Sequence, residues 1–118
     1  MQTSSIHIDV TLDNDKIPHS INWSAQSSTA ENAQAAKAMI LSFWDGADKS
    51  ALRIDLWTKD MMVDEMADFC YQHISGMADM FQRATGKEGL SNDLRIFAKA
   101  FLAKFREQQE KEAGLSNQ

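Results

Sequence analysis

Cys70 and His73 stand three residues apart in "DFCYQHIS", a spacing that puts two side chains on one face of a helix. A thiolate beside an imidazolium is a nucleophile, but catalysis also needs an orienting group and oxyanion donors. No such partners are legible, and Cys70 falls in an apolar stripe where it reads as a small core residue. Asp60, Asp64, Glu65 and Asp68 form a second cluster. Acid–base work would require surroundings that drive their pKa values apart. The dipole at a helix start explains the cluster more simply. His7, His19 and His73 lack ligand spacing, and neither HxxE nor CxxC occurs. The five glycines are too scattered for a phosphate loop. The expectation is therefore no catalytic residue, no metal ligand and no cofactor.

A different kind of chemistry is suggested by "LRIDLWTKDMMVDEM", residues 52–66. Leu52, Ile54 and Leu56 alternate with Arg53, Asp55 and Trp57, the period of a strand with two unlike faces. Just upstream, "DGADKS" is a turn cluster that follows "AKAMILSFW". Facing Trp44 with Ala51 across this turn pairs Phe43 with Leu52, Leu41 with Ile54 and Met39 with Leu56. Every core candidate then lands on one face, and a slip of one residue would turn a whole strand over. The outer face holds Trp44, Ser42, Ile40 and Ala38 beside Arg53, Asp55 and Trp57. Exposed aromatic and arginine side chains serve as anchors in protein contacts. The predicted interface is Ile40, Trp44, Arg53, Asp55 and Trp57, with Met61 at the margin. A structural reading stands beside it: aromatic pairing across strands, a solvated Arg53–Asp55 pair, or a cover formed by residues 26–36.

These residues need a frame. Ile6, Ile8, Val10 and Leu12 alternate with polar residues, "DNDKIP" supplies a turn, and "SINWSA" resumes the alternation. Strands are expected near 5–13, 19–25, 37–44 and 51–58. "AENAQAAKAMILSFW" is also rich in helix formers, so a helix over 30–44 stays open. After Thr58 the period changes. Val63, Met66, Cys70, Ile74, Met77, Phe81 and Ala84 define a helix over about 61–85, capped by Asp60 and stopped at Gly86. A second helix over about 91–112 carries Leu94, Phe97, Ala98, Phe101, Leu102 and Phe105, with Ser91 or Asn92 as its cap. Gly114 should end it, leaving residues 113–118 as a frayed tail. The whole is a single α+β domain: a four-stranded antiparallel meander with two C-terminal helices packed on one face.

The 118 residues carry 12 bases and 17 acids, a net charge of −5. Eleven of the acids lie within residues 1–68, which disfavours nucleic acid and anionic lipid as partners. One cysteine cannot form an internal disulfide, as expected in a reducing compartment. "MQTSSIHIDV" has no signal-peptide pattern, and no apolar run is long enough to span a bilayer. Taken as the whole chain, this predicts a cytoplasmic protein without membrane insertion. Six of the seven methionines, Met61 and Met62 among them, also suit a soft binding groove, although core filling explains most of them better.

"LRIDLWTKDM", "VDEM" and "MADMFQRATG", with "VTLDNDKIP" and "AKAMILSFWD" before them, resemble the GldC family of gliding motility-associated proteins of Bacteroidetes. The likeness spans most of residues 6–86 and thins in "LRIFAKAFLAKF"; Met62 stands where the family pattern expects proline. The resemblance implies a cytoplasmic accessory protein that works through other gliding motility proteins, peripheral to the inner membrane through them. It carries over no catalytic residue. A homodimer is one form the contact could take. Two rivals remain: a small-ligand carrier with a pocket lined by Met66, Phe69, Cys70 and His73, and a small hydrolase using Asp55, Asp64, Glu65 or His73.

Overall fold

The computed structural model describes residues 1–116, which divide into two compact units, Met1–Met61 and the chain from Met62 onward. The first unit is all β. Strand β1 (Ile6–Leu12) pairs antiparallel with β2 (Pro18–Ala25), and β2 pairs with the short β3 (Gln34–Ala36). Strands β4 (Ala38–Asp45) and β5 (Ser50–Trp57) form a separate two-stranded antiparallel ribbon. The second unit holds α1 (Val63–Thr85) and α2 (Glu88–Ser116). The layout is α+β as expected, with one strand more and two sheets in place of one. The additional strand, β3, comes from "QAA", whose alanines carry no strand signal of their own.

Turn chemistry organises the β unit. In the β1–β2 connection the Asp13 carboxylate accepts backbone N–H groups of Asp15 and Ile17 at 2.8 and 3.0 Å, the Asx-type bonding that aspartate brings to turns. Its other oxygen pairs with the Lys59 ammonium. The Lys59 contact, followed by the Ile17 N–H, lowers the Asp13 pKa from 3.8 to about 2. Asp45 plays the matching part in the β4–β5 turn, accepting the N–H groups of Ala47 and Asp48. Ile21 and Ala30 are the buried apolar residues of this unit. Buried Thr58 ends β5: its N–H donates to the Lys37 carbonyl at 2.8 Å, and its hydroxyl donates to the Asp60 carboxylate.

The helical unit is a hairpin closed by Gly86. Its φ of 73° suits glycine, and its N–H donates to the Gln82 carbonyl at 2.8 Å. Small residues, Ala67, Ala78, Ser91 and Ala98, form the buried seam. Arg95 ties the helices together by donating to Asp79 at 2.9 Å and Gln82 at 2.8 Å. Met77 and Phe97, expected in the core, are exposed. A seam of alanines is narrow, and the apolar stripe of each helix is wider than it.

Several boundaries shift. Met62, not Asp60, is the N-cap of α1, and its N–H donates to Glu65 at 3.1 Å, half of a capping box. Asp60 is occupied by the Thr58 hydroxyl, which lowers its pKa. Helix α2 begins at Glu88, before Ser91 and Asn92: the Lys87 carbonyl already accepts the Ser91 N–H as its first helical bond. Gly114 lies inside α2, so the expected stop fails there; the helix continues through Ser116, and residues 117–118 of the expected tail lie outside the described residues.

Two outcomes follow from these contacts. Thr58→Val keeps the shape but removes the hydroxyl from the Asp60 carboxylate, so thermal denaturation should show a loss of about 1–2 kcal/mol. Asp13 has a depressed pKa, so its contribution to stability is present above its ordinary value of 3.8 and is lost as pH falls toward about 2. Lys59→Ala should raise the Asp13 pKa toward 3.8 in a carboxyl NMR titration and move acid unfolding to higher pH.

Candidate functional site

The β4–β5 ribbon has the register expected from the sequence. Trp44 faces Ala51, Phe43 faces Leu52, Leu41 faces Ile54 and Met39 faces Leu56. Residues 38–45 are extended, which removes the helical alternative for that stretch. One face of the ribbon is thus built of four rungs: Ala38 with Trp57, Ile40 with Asp55, Ser42 with Arg53, and Trp44 with Ala51.

Both indoles on this face are open, Trp44 at 69% and Trp57 at 55% of full exposure. They are not a cross-strand pair. Each faces an alanine, and about 20 Å of strand separates their rungs at roughly 3.4 Å per residue. Aromatic pairing therefore does not account for their position. Between them Arg53 donates from Nε to the Asp55 carboxylate at 2.9 Å, with both side chains well exposed. This is the solvated pair anticipated from the sequence, and such a pair adds little to stability. It sets a guanidinium and a carboxylate side by side on the face between the two tryptophan rungs. Ile40 is half-buried on the same face, and Met61 is half-buried in the turn beyond it. Residues 26–36 do not cover the indoles.

The opposite face departs from expectation. Phe43, Leu52 and Ile54, expected in the core, are 59%, 58% and 51% exposed. Met39, Leu41 and Leu56 are half-buried. Alternation sorts side chains onto two faces, but it carries no information on which face is covered. The missed residues are this second apolar row, and their only sequence signal was the one that assigned them to the interior.

The residues considered for catalysis or carriage are otherwise engaged. Asp64 and Glu65 bond the first turn of α1, and His73 stacks on Phe69 with ring centres 6.4 Å apart. Cys70 is half-buried on α1. Open hollows among the described residues lie within single units. One of about 700 Å³ is lined by Val63, Asp64, Leu102, Phe105 and Arg106, another of about 380 Å³ by His19, Ile21, Lys37, Thr58 and Asp60. Neither includes Met66, Phe69, Cys70 or His73. Among the described residues no group of three or more His, Cys, Asp or Glu side chains is arranged to hold a metal, and no helix is long and apolar enough to cross a membrane.

Comparison with known proteins adds one family. The sequence model described as "Gliding motility-associated protein GldC-like" matches residues 18–107. The match starts at β2, later than the resemblance read from Ile6, and extends through most of α2, well beyond residue 86. No curated protein and no solved structure matches the chain significantly. With 90 of its 118 residues inside that span, β4, β5 and both tryptophans of the open face included, the chain belongs to the GldC-like family of gliding motility-associated proteins.

Proposed function

We propose that this protein is a non-enzymatic accessory of the bacterial gliding machinery that acts by binding other proteins of that machinery through the open face of the β4–β5 ribbon. The observation that carries the reading is the exposure of Trp44 and Trp57 on one face, with the Arg53–Asp55 pair between them. A partner covering that face removes two large aromatic surfaces from water, about 25 cal/mol for each Å² of apolar area. It also meets a guanidinium and a carboxylate whose positions select for complementary charge. Ile40 and Met61 border the same contact. Family membership supports the process and leaves the partner open. In this reading the protein works in the cytoplasm, as a protein with one half-buried cysteine does in a reducing compartment. It reaches the inner membrane only through its partners.

The test is capture of purified gliding motility proteins by the immobilised chain. Trp57→Ala combined with Arg53→Ala should weaken capture by at least about thirtyfold, the scale of a 2 kcal/mol hot spot. Its circular dichroism melt should stay within a few degrees of wild type, since both side chains are exposed. Undiminished capture by the double variant would show that the contact lies elsewhere.

A further inference from the structure

The ribbon has an open edge as well as an open face. Among the described residues strand β5 pairs only with β4, through an unbroken register without bulge or proline. The Thr58 N–H donates to the Lys37 carbonyl, one rung beyond the Ala38–Trp57 pair. Backbone groups of an antiparallel strand point alternately to its two sides. Leu52, Ile54 and Leu56 therefore turn theirs toward β4. Ala51, Arg53, Asp55 and Trp57 turn their N–H and C=O groups outward, where no other strand meets them among the described residues. A ribbon of two strands is marginal by itself, and an unguarded edge is a template for a further strand.

We infer that the outer edge of β5 takes the β5 strand of a second copy of this chain, antiparallel about a two-fold axis at Ile54. The argument is one of charge. With Ile54 opposite Ile54 of the second copy, Arg53 lies opposite its Asp55, and Asp55 opposite its Arg53. Leu52 then meets Leu56 of the second copy, and Ala51 meets its Trp57. All four outward-turned residues of each strand enter hydrogen-bonded pairs, and the product is a four-stranded sheet in the order β4-β5-β5-β4. Shifting the register by two residues, the smallest step that keeps the faces, sets Arg53 against Arg53 or Asp55 against Asp55. Like charges directly opposite are destabilising, so the two charged residues favour this register over both of its neighbours. Strand β4 offers no such selection, having no charged residue between Ala38 and Trp44. The inference uses backbone groups along an edge and does not rest on the face-binding function above.

Sedimentation of the full chain over a micromolar concentration series should show a reversible dimer. Asp55→Arg places a second cation opposite Arg53 and should weaken the dimer at least tenfold. Arg53→Asp combined with Asp55→Arg exchanges the charges, restores opposite signs across the axis, and should bring the dimer back. That exchange leaves hetero-partner capture impaired if the open face also reads the original charge order, so failure of the two ideas can be told apart. Register is checked without charge changes. At a non-hydrogen-bonded antiparallel pair the Cα atoms are about 4.5 Å apart, within disulfide reach. In a Cys70→Ser background, Ile54→Cys should therefore cross-link to itself on mild oxidation. Leu52→Cys should not, since four rungs would separate it from its own copy. A monomer at every concentration, equal cross-linking at both positions, or a charge exchange that behaves like the single reversal would each overturn the assignment.

Discussion

Antiparallel register is the constraint on which the β4–β5 ribbon depends. Once Trp44 is set against Ala51, every other pair follows, because side chains alternate with a period of two and one turn closes both strands. Asp45 fixes that turn by accepting the N–H groups of Ala47 and Asp48. Thr58 fixes the far end by bonding Lys37 and Asp60. Anchored at both ends, the eight-residue strands cannot slide, and the four residues proposed as contacts, Trp44, Arg53, Asp55 and Trp57, stay on one face. The same parity that groups Trp44, Arg53, Asp55 and Trp57 as side chains also directs the backbone of Arg53, Asp55 and Trp57 to the outer edge.

Burial in the two units is carried by few residues, most of them small. In the helical hairpin the seam consists of Ala67, Ala78, Ser91 and Ala98, and in the β unit it rests on Ile21, Ala30 and Thr58. Small seams let backbones approach closely but bury little apolar area per residue. Larger side chains such as Phe43, Leu52, Ile54 and Phe97 consequently stay more than half exposed. Exposed apolar surface of this extent is the physical ground for the contacts proposed above. Several residues with acid, base or imidazole side chains have structural duties. Glu65 bonds the start of α1, His73 stacks on Phe69, and Asp60 holds Thr58.

The sequence by itself determined the ribbon, its register, the helix hairpin and the stop at Gly86, since each rests on local rules: alternation, turn residues, helical spacing and a left-handed glycine. It also determined which side chains share the face with Trp44 and Trp57. Local signals failed where two of them compete. Asp60 looks like a cap but is claimed by Thr58; Gly114 looks like a stop but a helix of good formers runs through it. Tertiary structure alone decided that "QAA" becomes a strand by pairing with β2, that the sheet divides, and that Phe43, Leu52 and Ile54 remain exposed. Those outcomes depend on which elements come together and how much area their contact covers, and no window of residues encodes that.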